Sequence, residues 1–326
     1  MKDECVVYCD LEFIKNFFRL SPYEKGYTSI NDFPVWNNIY CFIQKADITF
    51  YNSTDSDFAE YINQVGADYE FMEPVYQKFV NCEFEQEDIL QEHVDYNAVY
   101  LTDLSTSECE EKSKQLGVLV FNYEKIIKSN YIFEDNGSAI KENSKGDWSM
   151  YLKEPNYKIC NSMIITDNYL LKDKDKMDDN LFPILDALLP ETLNTTFDLT
   201  CFCKDMNGQE KQRFDSLCKE LSTLRPNIKF KVSLFKTLGD FHDRFILTNT
   251  LWFSCDGGFD LFSSHKAKKE TKTDVVFPFF IQNIKKYPHL YLNQIYATLR
   301  VYRRDHTQNF DYWGENKNRL LDYYKK

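Results

Sequence analysis

Apolar positions recur along this chain in two rhythms. Short β-prone runs stand at Cys5–Cys9, Asp47–Tyr51, Ala98–Thr102 and Val118–Phe121. Between them lie stretches whose large apolar side chains return every three or four residues. Leu11–Leu20 carries Phe13, Ile14, Phe17 and Phe18, and a stretch opened by Pro34 carries Val35, Ile39, Phe42 and Ile43. That spacing predicts helices there, with further helical candidates at 57–65, 71–80 and 88–93. Ser105–Leu116 is predicted helical with a capping box, Ser105 followed by Glu108, and Gly117 at its end. Strands alternating with helices predict a parallel sheet covered on both faces, with ligands collecting at the carboxyl ends of its strands. Asp10 and Asp103 follow two of those strands directly.

The rhythm breaks over 134–158, where Asn, Gly, Ser, Lys and Glu cluster, and then resumes. Strands are predicted at Ser162–Thr166, Phe197–Cys203 and Ile228–Phe235, helices at Leu181–Leu189 and Gln209–Leu224, and a hairpin from 241–249 and 251–254. The stretch from Leu290 to Tyr324 reads as helical and basic. The expected organisation is an α/β chain of two domains: a parallel-sheet domain over 1–135, a linker over 136–158, and a second α/β domain over 159–326 with a helical tail.

Composition narrows the classes. Apolar residues at 43% and aromatics at 16% support packed cores, while ten Gly leave little room for phosphate-cradling Gly loops. No apolar run is long enough to span a bilayer, and the first ten residues lack a leader pattern, so a cytoplasmic location is expected. Ten cysteines occur without a C-x-x-C pair or zinc-ligand spacing, which points to reduced thiols. Charge separates the halves more sharply. Residues 1–150 hold 12 Lys/Arg against 28 Asp/Glu, whereas 201–326 hold 22 against 14. The later half can meet a polyanion; nucleic acid is the partner this implies, although an acidic first half also serves solubility alone.

The most distinctive local pattern is Phe241-His-Asp-Arg-Phe-Ile-Leu-Thr-Asn249, followed by Gly257-Gly-Phe-Asp260. On a strand, His242 and Arg244 would share a face, a combination suited to phosphate: imidazole as nucleophile or acid and guanidinium as clamp. The segment resembles one half of the phospholipase-D motif, H-x-K-x-x-x-x-D, with His242, Arg244 and Asn249 at its three positions. It is closer still to the single-motif, non-catalytic domains at the C-terminus of certain membrane-trafficking proteins. The resemblance covers about 120 residues and implies a phospholipase-D-like fold with His242, Arg244 and Asn249 around phosphate. Arg replaces Lys and Asn replaces Asp, and only one copy is present. Catalysis by His242 would then need a homodimer with two such histidines facing each other. Lys266 and Lys268, in a basic run after the hairpin, read either as a solvated loop or as steering groups for phosphate.

The acids of the first half form the second pattern. Asp10, Glu60, Asp88 and Asp103 are similar in placement to the acids of PIN-domain ribonucleases: a strand-end Asp, a helix Glu, an Asp before a helix, and a strand closing in Leu-Thr-Asp103. The resemblance, over roughly residues 5–125, implies a Rossmann-like sheet whose four carboxylates hold Mg²⁺ or Mn²⁺, hard cations that activate water against a phosphodiester. The competing reading makes these acids helix caps. Together the two patterns predict a nucleic-acid-acting protein, a candidate metal-dependent nuclease with a phosphate-binding second domain, in the style of prokaryotic antiviral-defence effectors. The alternative is a non-catalytic binding or regulatory subunit that recognises a phosphate-bearing ligand or a protein partner. Tyr302, Tyr312, Trp313 and Tyr323, interleaved with arginines, read as core or as a stacking platform for bases.

Overall fold

The computed structural model describes residues 6–22, 33–51, 54, 56–57, 60–61, 83–85, 98–280, 289–304, 307–308 and 311–322. The chain folds as two units, the first formed by 1–113 with 118–133 and the second by 114–117 with 134–326.

In the first unit, β1 (Val6–Asp10) runs straight into α1 (Leu11–Arg19), because Asp10 caps the helix it precedes. The apolar stripe of α1 is buried on Leu11, Phe13, Ile14, Phe17 and Phe18. Phe17 stacks on Trp36 of α2 (Pro34–Lys45) at 4.6 Å between ring centroids. There follow β2 (Asp47–Tyr51), β3 (Glu83–Glu85), β4 (Ala98–Leu101), α3 (Thr106–Leu116), β5 (Leu119–Phe121) and α4 (Tyr123–Lys128). The five strands are all parallel in the order β3-β2-β1-β4-β5. The order reverses between β1 and β4, where Cys9 pairs with Leu101. A parallel sheet with that order leaves a crevice at the carboxyl ends of those two strands. The capping box forms as predicted: Ser105 N–H donates to Glu108 at 2.9 Å and Glu108 N–H donates to Ser105 Oγ at 3.3 Å. β3 escapes the apolar pattern, since Glu-Phe-Glu offers only one apolar residue.

The second unit is built on an eight-stranded mixed sheet. Its centre is parallel: β7 (Ser162–Thr166), β8 (Phe197–Cys203) and β9 (Phe230–Lys236). Every residue of β7 and β8 is buried, as a sheet covered on both faces requires. The antiparallel flank comprises β10 (Phe245–Thr248), β11 (Trp252–Cys255), β14 (Thr271–Val276) and β6 (Ser138–Ile140). With β15 (Tyr312–Gly314) at the opposite edge, the strand order is β15-β9-β8-β7-β10-β11-β14-β6. A small pair, β12 (Phe262–Ser263) with β13 (Lys266–Ala267), lies between β11 and β14 in sequence. The helices are α5 (Phe182–Leu188), α6 (Glu210–Leu224), α7 (His289–Arg304) and α8 (Arg319–Asp322). A single helical turn (Lys174–Lys176) and a π-helical turn (Met177–Leu181) lead into α5.

Two expectations are revised. The span 136–158, read as a linker, contributes β6 and the fully buried Trp148, whose indole N–H donates to the Phe259 carbonyl at 3.0 Å. The C-terminal stretch is not helical throughout. Its Tyr312–Gly314 segment is the edge strand β15, paired with β9, and Tyr312 stacks on Phe235 at 5.2 Å. Two adjacent aromatics on a sheet edge outweigh the helical propensity around them. The overall class is mixed α/β, and among the described residues no helix is long and apolar enough to cross a membrane.

Candidate functional site

Each unit presents polar groups at the carboxyl ends of its parallel strands. In the first unit Asp10 and Asp103 stand on either side of the crevice between β1 and β4. Asp10 Oδ1 accepts the Glu12 N–H at 2.8 Å, the cap that starts α1. Burial pushes the Asp10 carboxyl above its ordinary range, the cap bond works against that rise, and the charge of Asp103 adds to it. Asp103 itself is exposed. Lys15, on the same helix, is already paired with Glu12 at 2.5 Å. Glu60 is exposed on a separate helical turn, and Asp88 lies outside the described residues. Among the described residues no three His, Cys, Asp or Glu side chains gather as a metal-ion group. The structure brings Asp103 near enough to Asp10 for its charge to act there, and the residue after Glu60, Tyr61, lies beneath Lys15 at 5.7 Å. The donor set still fits Mg²⁺ or Mn²⁺. It offers carboxylate oxygens alone, and a divalent charge between them would relieve the burial and repulsion that disfavour ionised Asp10.

In the second unit the site begins at Asp167, one residue beyond β7 and 1% exposed. Its Oδ1 accepts the N–H groups of Tyr169 and Leu170 at 2.8 and 2.9 Å, and its Oδ2 accepts that of Phe259 at 2.8 Å. Burial raises its pKa, opposed by the backbone donors and by Arg244. Asn168 ties down the next loop. Its Nδ2 donates to the Phe241 carbonyl at 3.0 Å and its Oδ1 accepts the Phe241 N–H at 2.9 Å. Thr166 Oγ1 then takes the Phe245 N–H at 3.1 Å. With the backbone spent on side chains, the ladder starts only at Phe245. His242 and Arg244 thus lie in the bend before β10, not on a shared strand face as the pattern predicted.

Arg244 is the unusual group. It is half-buried, its Nε is sealed from solvent without a partner, and its guanidinium forms no hydrogen bond among the described residues. The charge of Asp167 holds it in place, but both carboxylate oxygens of Asp167 are taken by backbone donors. Its fork is therefore uncommitted, a rarity among half-buried polar groups. The side chain lies across Gly258, at φ +81°, where an added Cβ would stand 2.7 Å from Nη1. His242 is exposed beside it. Asp260 is neutralised by an ion pair with Lys176, and Lys268 Nζ donates to the Asp260 carbonyl at 3.1 Å. The π-helical turn holds this loop from below. Asn180 bonds both backbone groups of Phe262 (2.7 and 3.0 Å), and Asp179 accepts the Ser264 N–H at 2.9 Å. Lys266 is exposed on β13.

Asn249 does not belong to this site. It is 2% exposed, its Oδ1 accepts the Asn161 N–H at 2.9 Å, and its Nδ2 donates to the Gly117 carbonyl at 2.8 Å. An amide buried to this degree and held at both ends by backbone groups is closed to phosphate, so its expected phosphate role is corrected to a structural one. Asp167 and Asn168 carry no motif of their own in the sequence, though the strand-end rule that selects Asp10 and Asp103 applies equally to Asp167. Tyr302 turns inward, its hydroxyl accepting the N–H groups of Leu238 and Gly239 at 2.9 and 3.3 Å, and Trp313 is 7% exposed. Tyr323 lies outside the described residues. Compared with known proteins, the chain matches no family model and no curated protein.

Proposed function

We propose that the chain acts on nucleic acid, with a metal-assisted phosphodiester-cleaving site in its first unit and a phosphate seat in its second. The observation that carries this reading is the meeting of Asp10 and Asp103 where the strand order of an all-parallel sheet reverses. Strand order and strand-end acids both support a PIN-like assignment of the first unit. Asp10 and Asp103 would hold Mg²⁺ or Mn²⁺, with Asp88 as a third candidate ligand. Such an ion polarises a phosphodiester and lowers the pKa of a bound water. The cap on α1 fixes Oδ1 of Asp10, and Oδ2 would serve the ion. In the second unit, Arg244 offers a planar fork to a phosphate and His242 a proton donor beside it. The free guanidinium and the Gly-Gly-Phe-Asp260 loop beneath it support a phospholipase-D-like assignment.

One observation favours a second reading, a binding or regulatory subunit without hydrolysis. Asn249 stands where the resembling motif has its acid, and its amide is spent on backbone. The test is incubation of the purified protein with labelled RNA and DNA, with and without Mn²⁺. Cleavage that needs Mn²⁺ and vanishes in Asp10→Asn is the expected result. Cleavage that persists in EDTA but is lost in His242→Ala would move the chemistry to the second unit. Binding without cleavage under every condition would leave the subunit reading.

A further inference from the structure

The phosphate seat of the second unit is recessed, and the recess limits what can enter it. Arg244 Nε is sealed from solvent, whereas its two Nη groups, also without a hydrogen-bond partner among the described residues, reach solvent. The guanidinium lies across Gly258, itself buried, where an added Cβ would stand 2.7 Å from Nη1 and 3.1 Å from Cδ. Asp167 backs it, with Oδ2 held by the Phe259 N–H at 2.8 Å. What the seat offers to solvent is the tip of one planar fork. The surrounding loops add no second seat. Lys172, Lys176 and Lys204, on the segments that follow β7 and β8, are paired with Asp205, Asp260 and Asp240 respectively. At the rim, exposed Asp243 and Asp256 balance exposed Lys268 and Lys269. A strand laid across the seat would gain one phosphate contact and meet no run of cations on either side.

We propose that the seat takes the terminal phosphate of a nucleic-acid strand rather than a phosphodiester within one. An internal phosphate carries an ester arm on each side, and both arms would have to follow it into the recess. A terminal phosphate has one arm, three free oxygens and a charge of about −1.5 to −2 near neutral pH. It reaches the fork end-on and accepts two parallel hydrogen bonds from it, while the strand leads away from the rim. The larger charge also favours the terminal group at a guanidinium whose neighbouring carboxylate is spent on three backbone donors.

The proposal rests on the phosphate reading of this seat but not on cleavage, so binding is measured in EDTA on the full chain. Titration calorimetry compares short and long oligo-uridines, a dimer and a decamer, each with a 5′-phosphate, a 3′-phosphate or neither, and with inorganic phosphate as competitor. A strand phosphorylated at one of its ends is expected to bind about tenfold or more tightly than the unphosphorylated strand, the worth of one charge-assisted contact. Dimer and decamer should bind alike, with a salt slope of about 0.7, one phosphate's worth for a single strand. Arg244→Gln should abolish the preference for a phosphorylated end, and Arg244→Lys should keep part of it, because the charge remains and the fork does not. Lys219→Gln, exposed on α6, and Asp10→Asn should bind like the parent. Equal affinity with and without a terminal phosphate, or affinity that climbs with strand length, would overturn the proposal while competition by inorganic phosphate kept the seat. So would a preference undiminished in Arg244→Gln. If neither the strands nor inorganic phosphate bind the parent, the phosphate reading of the seat falls and the proposal with it.

Discussion

Gly258→Ala tests whether the Arg244 fork is held by its surroundings. Gly258 has φ +81°, and an added Cβ would lie 2.7 Å from Arg244 Nη1, 3.1 Å from Arg244 Cδ and 3.2 Å from Asp167 Oδ2. The backbone conformation alone costs an L-residue about 1–2 kcal/mol. The Asp167 oxygen cannot retreat, because it accepts the Phe259 N–H at 2.8 Å, so Arg244 must yield. Moving a half-buried guanidinium off its seat adds roughly 1–2 kcal/mol. Gly208→Ala is the matched control: φ is +71° there, but nothing lies within 4 Å of the new methyl, so only the backbone cost applies. Urea unfolding should therefore give about 2–4 kcal/mol for Gly258→Ala against about 1–2 kcal/mol for Gly208→Ala. In calorimetry each kcal/mol is about 2–4 °C for a unit of this size. Competition by inorganic phosphate for a bound oligonucleotide should weaken about tenfold or more in Gly258→Ala, the loss of one charge-assisted contact, and stay unchanged in Gly208→Ala. If both variants lose the same stability and both keep the phosphate affinity, the fork is not seated as described.

Two further outcomes follow. Asp10 has a raised pKa in the folded chain, so its contribution to stability is present at low pH and is lost as pH rises through and above the ordinary carboxylate range. Asn caps a helix as well as Asp does, so Asp10→Asn should match the parent near pH 4 and become the more stable of the two near pH 7, read by urea midpoints. Asn249→Ala strands the buried Asn161 N–H and Gly117 carbonyl and should cost about 2–5 kcal/mol while leaving phosphate affinity unchanged. Asn249→Asp, which restores the acid of the resembling motif, should also destabilise, because it turns a carboxylate oxygen toward the Gly117 carbonyl, and should create no hydrolytic activity.

Much of the architecture can be read from apolar rhythm, because buried strands of parallel sheets are short unbroken apolar runs and their helices carry an apolar stripe. Val6–Asp10, Ala98–Leu101, Ser162–Thr166 and Phe197–Cys203 all lie where that rhythm puts them. What escapes it is decided by partners distant in sequence. β3 needs β2 beside it, β15 needs Phe235 beneath Tyr312, and β6 is drawn in by β14 across 135 residues. The candidate site divides along the same line. The pairing of Asp10 with Asp103 follows from strand ends alone. The fate of Asn249 depends on two backbone groups, at 161 and 117, that no local pattern announces. The conformation of His242 and Arg244 is likewise settled by Asn168 and Thr166, polar side chains that stop a ladder that alternation would have extended.

The wide turn at Met177–Leu181 has a consequence for the length of the chain there. An α-helix advances about 100° per residue. Deleting one residue and letting the segment relax into uninterrupted α-helix would swing Lys176 by that angle while Phe182–Leu188 kept its packing. Asp260 would lose its counter-charge and the 260–264 loop its latch, with every remaining side chain still the original one. The phase of a single helix, set by one surplus residue, thus decides whether the ground beneath Arg244 is electrically balanced.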